Sequence, residues 1–157
     1  MADPLVSVVT PAYNEEDYIE AHIKSVLAQT YDNIEHIVID DGSTDETATI
    51  LKRYNNEYNL RLFEESNEGQ PTAMNKAFNR VQGDFVIWLN ADDIFLFPEI
   101  VSRVVNEFQR HPSADVLYGN RAYIDRNNRL RKFSMNTPFF TERRLRKNCF
   151  AAFNFFR

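Results

Sequence analysis

DFVIWLNADDIF, residues 84–95, places two opposed demands side by side. Phe85 to Leu89 is an apolar run of the length that forms a buried strand. It passes directly into Asn90, Ala91, Asp92 and Asp93, after which apolar sequence resumes. Adjacent carboxylates at the end of a core strand, with no basic residue beside them, raise each other's ionisation cost unless a cation or strong donors share the site. A cation is the first candidate for that role.

The sequence on either side alternates strand and helix patterns. LVSVVT (5–10) reads as a buried strand, and EEDYIEAHIKSVLAQT (15–30) carries Ile19, Ile23, Val26 and Leu27 at helical spacing. IEHIVID (34–40) is a second strand. DGSTDETATILKRY (41–54) opens with a turn and a capping box, in which the Ser43 hydroxyl takes an amide while Glu46 reaches back. LRLFEE (60–65) is a short strand, and GQPTAMNKAFNRV (69–81) a helix with Pro71 in its first turn. PEIVSRVVNEFQR (98–110) is a further helix, DVLYGN (115–120) a fifth strand, and RAYIDRNNRLRKFS (121–134) a hairpin around DRNN. Such alternation predicts an α/β fold, a mainly parallel sheet with helices on both faces.

Ligands of such sheets bind beyond the carboxyl ends of the strands, where the strand order reverses. Three polar clusters fall at those ends: Thr10-Pro11-Ala12-Tyr13-Asn14, then Asp40-Asp41-Gly42-Ser43, then Asn90-Ala91-Asp92-Asp93. Their convergence on one edge is the functional signal. With only four glycines, neither G-x-G-x-x-G nor a P-loop can be written, which disfavours dinucleotide oxidoreductases and P-loop NTPases. Carboxylates at a ligand edge suit phosphate carried by Mg²⁺ or Mn²⁺, ions held by one or two carboxylates plus the substrate's own phosphates.

Composition narrows the class further. A chain of 157 residues, 43% hydrophobic and 26% charged, is ordinary for one globular domain. It is long enough to bury roughly 70% of its unfolded surface. No apolar run approaches the ~20 residues of a spanning helix, and the start Met1-Ala2-Asp3-Pro4 has no basic signal-peptide region. With the single Cys149, these features make a cytoplasmic location the default expectation. A net charge of −5 argues against nucleic acid as a partner. Residues 121–147 nevertheless hold nine Lys or Arg against two carboxylates, a local balance of +7. That run is either a solvated face or a peripheral contact with the inner, acidic surface of a membrane. Seven of the thirteen Phe lie in the last 25 residues. The segment Phe150–Phe156 is therefore expected either to be disordered or to pack against a second copy, and the natural chain to continue past Arg157.

VSVVTPAYNEEDYIEAHIKSVLAQTYDNIEHIVIDDGSTDET, followed by NEGQPTAMNKAF and GDFVIWLNADD, resembles the family 2 glycosyltransferases of the GT-A fold. The likeness runs through roughly residues 5–110 and continues more loosely to 157. It implies one domain over 1–157, with a donor-binding part over 5–120 and the start of an acceptor-side region over 121–157. It also implies a nucleotide-sugar donor, UDP-linked by family habit, a polysaccharide or lipid-linked acceptor of the cell envelope, and inverting transfer. By resemblance Pro11, Ala12, Tyr13, Asn14, Asp40 and Asp41 meet the base and ribose, and the Asp-x-Asp motif falls on Asn90-Ala91-Asp92 with Asp93 following. Here the leading Asp of the common form is Asn90, which accepts hydrogen bonds without carrying charge. The metal then rests on Asp92, Asp93 or both. The family's catalytic base lies C-terminal to anything matched here, so the chain resembles a donor-binding half without the acceptor half, expected to bind nucleotide and to transfer sugar negligibly.

Simpler readings stand beside these. Ser43 and Asp45 suit the helix start, Lys76 faces either the diphosphate or solvent, and Gly69 meets a backbone need where a helix begins, with close approach to substrate as a second use. His22, His36 and His111 show no ligand spacing and read as structural. Two other functions compete: a nucleotide- and metal-binding chain without turnover, and a Mg²⁺-binding receiver module. The receiver needs an acidic pair after the first strand, where this chain has Thr10-Pro11.

Overall fold

The computed structural model describes residues 3–55, 57–125, 129–134 and 154–156. Its strands and helices alternate: β1 Val6–Ala12, α1 Ile19–Leu27, β2 Ile34–Asp40, α2 Thr47–Tyr54, β3 Leu60–Glu64, α3 Gln70–Phe78, β4 Phe85–Trp88 and α4 Ile100–Arg110. Then come β5 Val116–Tyr118, the pair β6 Arg121–Ile124 and β7 Leu130–Ser134, and β8 Asn154–Phe156. The main sheet has the order β3-β2-β1-β4-β8-β5. Strands β1 to β4 run parallel, and β8 lies antiparallel between β4 and β5. The predicted 121–134 hairpin forms, as a separate antiparallel ribbon.

Side-chain alternation along the strands sorts the core into two faces. Val6, Val8, Val38 and Ile87 pack with α1, α2 and α4, whereas Val9, Ile37 and Ile39 pack under Ala73, Met74 and Ala77 of α3. Helix α4 buries Val101, Val104, Val105 and Phe108, the spacing of one helical stripe. Strand β1 is buried along its whole length, as a central parallel strand must be. It runs two residues further than predicted and takes in Pro11 and Ala12. Pro11 is tolerated because β1 pairs with β4 only as far as Val9, so the end of the strand has a neighbour on one side only.

Two sequence expectations are corrected. Helix α2 begins at Thr47, whose amide donates to Asp45 Oδ1 at 3.0 Å, and Ser43 instead donates its hydroxyl to Asp40, so the capping box of Ser43 and Glu46 does not form. Asn154–Phe156 is an internal strand of this chain's own sheet rather than a free or intermolecular end. Phe150, Phe153, Cys149 and the basic residues of 135–147 lie outside the described residues.

The end of the sheet opposite the polar clusters is tied by one buried carboxylate. Glu35 accepts from the Ser7 hydroxyl, the Gln82 amide at 2.7 Å and Arg61 Nη1 at 2.8 Å. Burial pushes its carboxyl up, but these donors outweigh burial and hold it below the ordinary range. Gly83 donates its amide to the Ser7 hydroxyl, so close that an added Cβ would lie 2.6 Å from Ser7 Oγ and 2.7 Å from the Leu5 carbonyl oxygen. Gly83→Ala is therefore expected to destabilise the protein by about 1–3 kcal/mol through overpacking, measured by urea unfolding. An unchanged midpoint would show that the loop moves aside freely.

Candidate functional site

Strands β1, β2 and β3 step outward in one direction and β4 returns to the far side of β1, so the strand order reverses between β1 and β4. The carboxyl ends of β1 and β2 and the loops that follow β1, β2 and β4 carry all three clusters singled out in the sequence. The first two are stitched together. The Asn14 amide donates to Ser43 Oγ at 3.0 Å, and Asn14 Oδ1 accepts from the Thr44 amide at 2.8 Å. The Glu15 and Glu16 amides donate to Thr47 Oγ1 and Asp45 Oδ2, and the Glu46 amide returns a bond to Glu16. Asn14 holds φ 55°, a left-handed conformation that Asn adopts more readily than most residues. Tyr13 stays 45% exposed above this seam, a free aromatic face at the ligand edge.

Asp40 is buried, and its Oδ1 takes both Ser43 donors, the amide at 3.1 Å and the hydroxyl. Asp41 has a different task. Its two oxygens accept the Glu68 and Gly69 amides at 3.0 and 2.8 Å, which anchors the loop into α3. Gly69 sits at φ 90°, where an L side chain is strained, so its backbone requirement is met by the fold itself. Lys76 is partly exposed and pairs with Glu65 at 3.3 Å and Glu68 at 3.0 Å.

The third cluster is a turn closed by the Asp93 amide on the Asn90 carbonyl at 3.0 Å. Ala91 is buried against the core, which turns Asp92 out to solvent and leaves Asp93 partly covered. Asn90 Oδ1 already accepts from Trp88 Nε1 at 2.8 Å and Gln70 Nε2 at 3.3 Å, so both lone pairs of that oxygen are engaged. Its side chain also favours the charged form of the neighbouring Asp93 carboxyl.

Charge at this edge is in surplus. Burial, and then the charge of Asp92, push the Asp93 carboxyl up to about 6, against the pull of Arg121. Burial and the charges of Asp92, Asp45 and Asp93 likewise raise Glu15, a carboxylate that the sequence patterns did not single out. These groups fit a hard divalent cation, which would remove the repulsion. Among the described residues no group of three or more His, Cys, Asp or Glu gathers closely enough to hold an ion with protein ligands alone. That suits an ion whose remaining ligands come from substrate and water.

Beneath the turn lies a buried chain of polar side chains. His22 Nδ1 is 2.8 Å from the Asp93 carbonyl oxygen, and His22 Nε2 is 3.1 Å from Thr10 Oγ1. Thr10 Oγ1 is 3.0 Å from His36 Nε2, and His36 Nδ1 is 2.6 Å from the Tyr58 hydroxyl. Burial pushes His22 down to about 4 and, with the neighbouring His22, pushes His36 well below its ordinary value, so both rings are neutral at pH 7. The sequence reading of both histidines as structural is consistent with this burial but missed the contact of His22 with the carboxylate turn.

The family model for glycosyl transferase family 2 matches residues 7–156. The chain is 36% identical over 143 residues to a chondroitin synthase of Escherichia coli, covering 90% of this chain and 21% of that protein. It is 47% identical over 92 residues to TuaG of Bacillus subtilis, a glycosyltransferase named for teichuronic acid biosynthesis, covering 57% of this chain and 36% of TuaG. Among solved structures, S. aureus TarS 1–349 in complex with UDP-GlcNAc superposes with a TM-score of 0.67 at 33% identity, over 73% of this chain and 33% of TarS 1–349. The mannosyltransferase PcManGT of Pyrobaculum calidifontis, in complex with GDP-Man and Mn²⁺, superposes with a TM-score of 0.68 at 28% identity, over 74% of this chain and 35% of PcManGT. The chain thus spans about a fifth to a third of the length of these relatives.

The raised Asp93 carboxyl has a testable sign. Its folded value lies above its unfolded one, so its contribution to stability is complete below about pH 4 and is lost as pH rises through about 6. Asp93→Asn should leave stability nearly unchanged at pH 4 and raise it at pH 8 without metal, by roughly 1–3 kcal/mol before solvent screening reduces the gain. Thermal melts in chelator at the two pH values check this. A loss of stability at pH 8 would mean that the carboxylate is well compensated.

Proposed function

The chain belongs to glycosyl transferase family 2, and from that premise we propose that it forms the donor-binding part of an enzyme that moves a sugar from a nucleotide-sugar, a UDP-sugar first, to a polysaccharide or lipid-linked acceptor. The observation that carries this reading is the meeting of Asp40 and the Asp92–Asp93 turn on either side of β1, at the point where the strand order reverses.

In this reading the nucleoside lies over the seam between the first two loops. Tyr13 offers its exposed ring to the base. Pro11 and Ala12, inside β1, set where that ring stands. Asp40, its Oδ1 already held by Ser43, accepts from the nucleoside through Oδ2. Asp41 and Gly69 act through the shape of the loop before α3, and Lys76, engaged by Glu65 and Glu68, balances that loop's charge. Asn90, with its oxygen taken by Trp88 and Gln70, presents its amide as a donor. Asp92 and Asp93 hold Mn²⁺ or Mg²⁺, which would neutralise charge developing on the departing diphosphate. Transfer then breaks the bond from the anomeric carbon to the diphosphate and forms one to the acceptor oxygen with inversion, the acceptor proton passing to a base supplied from outside the matched motifs. UDP-GlcNAc in TarS and GDP-Man with Mn²⁺ in PcManGT support the class of donor and of ion. The names of the chondroitin and teichuronic acid relatives support a polysaccharide acceptor. A binding role without turnover is the second reading for these 157 residues.

Calorimetry with UDP should show binding that tightens on adding Mn²⁺, and the gain should vanish in Asp92→Ala/Asp93→Ala. Asp40→Ala should weaken UDP binding by about tenfold with or without metal, the loss of one charge-assisted hydrogen bond. Equal UDP affinity in chelator and in Mn²⁺ would refute the metal assignment. An Asp40→Ala effect confined to the metal-loaded state would exchange the two roles.

A further inference from the structure

Helix α1 turns an unusual stripe toward the segment that follows β4. On a face otherwise filled by Ile19, Ile23 and Val26, His22 meets the Asp93 carbonyl. One turn on, Ser25 Oγ accepts the Phe95 amide at 3.1 Å while donating to the His22 carbonyl at 2.8 Å. Two residues past the end of α1, Gln29 donates to the Phe97 carbonyl at 3.0 Å and accepts the Val101 amide at 3.1 Å. His22 and Ser25 of α1, with Gln29 just beyond it, thus grip residues 93–101 by their backbone, with no dependence on those residues' own side chains.

The grip at Asp93 is directional. The carbonyl only accepts, so His22 Nδ1 carries the proton and Nε2 is an acceptor. One run of donors then satisfies every group: Tyr58 O–H to His36 Nδ1, His36 Nε2–H to Thr10 Oγ1, Thr10 O–H to His22 Nε2, and His22 Nδ1–H to the Asp93 carbonyl. His22, His36 and Thr10 are fully buried, and leucine-like residues would fill such space without the cost of burying polar atoms. What the polar chain adds is a fixed tautomer at the bond from His22 to the Asp93 carbonyl.

We infer that His22 is a positioning residue for the carboxylate turn: its Nδ1–H fixes the Asp93 carbonyl, and with Ser25 and Gln29 it sets how Asp92 and Asp93 are presented at the ligand edge. This rests on the reading of Asp92 and Asp93 as the metal-binding pair. Partners that orient a metal ligand from behind typically govern 10–100-fold in metal affinity.

The test uses the 157-residue chain with UDP as the probe, titrated in chelator and in Mn²⁺. His22→Leu should lower the Mn²⁺-dependent affinity by about 10–100-fold and leave the chelator affinity unchanged. His22→Asn, whose side-chain amide nitrogen can stand where Nδ1 stands, should restore most of the loss. Long-range ¹⁵N–¹H spectra of the wild type should show the His22 Nδ1–H tautomer, a readout that survives even if the Leu variant does not fold. Wild-type binding without any Mn²⁺ dependence would remove the metal reading itself. Wild-type Mn²⁺ dependence that persists undiminished in His22→Leu would overturn the positioning role alone. The same role falls if His22→Leu loses affinity equally in chelator and Mn²⁺, or if the spectra show the Nε2–H tautomer.

Discussion

A strand covered on both faces cannot leave a polar side chain unmatched, and β1 carries two, Ser7 near its start and Thr10 near its end. Much of the architecture answers that constraint. Ser7 draws in Glu35, which needs Arg61 and the Gln82 amide, and the α3–β4 connection is fastened as a result. Thr10 draws in His22 from α1 and His36 from β2, and through them Tyr58 and the backbone of Asp93. One buried strand thereby holds both ends of the sheet, and its polar residues act as the registration marks for the elements around it.

The ligand edge is organised on a different principle. Backbone and side-chain bonds between the β1–α1 and β2–α2 loops fix their relative position before any ligand arrives. Preorganisation of that kind removes an ordering cost from binding. The carboxylates across the edge are left undercompensated instead, with Asp93 and Glu15 both raised. Neutral contacts are satisfied internally and negative charge is left over, so the protein's unspent free energy at this edge is electrostatic.

The fold was largely legible because the signals that define it are local. Strand runs, the stripe of α4 and the polar residues at strand ends can be read without knowing what lies nearby in space, and the 121–134 hairpin was readable from its polar middle. What was missed depends on distant partners. Asp41, Lys76 and Asn90 are named by a motif, but their internal partners, Glu68 and Gly69, Glu65 and Glu68, and Trp88 and Gln70, are not visible in it. Thr10, His22 and His36 lie 12 and 26 residues apart, with no period that could betray their contact. His22 had one visible signal, a titratable residue on an otherwise apolar helix stripe. Strand β8 had none, since three residues in a Phe-rich stretch carry no turn or alternation to mark them.

That strand bears on how the molecule is made. The four parallel strands are complete once Trp88 has been synthesised, and they can pair from that point on. Strands β4 and β5 have no shared neighbour until Asn154–Phe156 emerges, and Val86 pairs with Phe156 across 70 positions of chain. A nascent chain therefore exposes one flank of β4 while residues 89–153 are made, an interval in which unpaired strand edges are prone to wrong pairing. Closure of the sheet is an event of high contact order, so the time taken to make residues 89–156 sets the least interval for which that flank stays open.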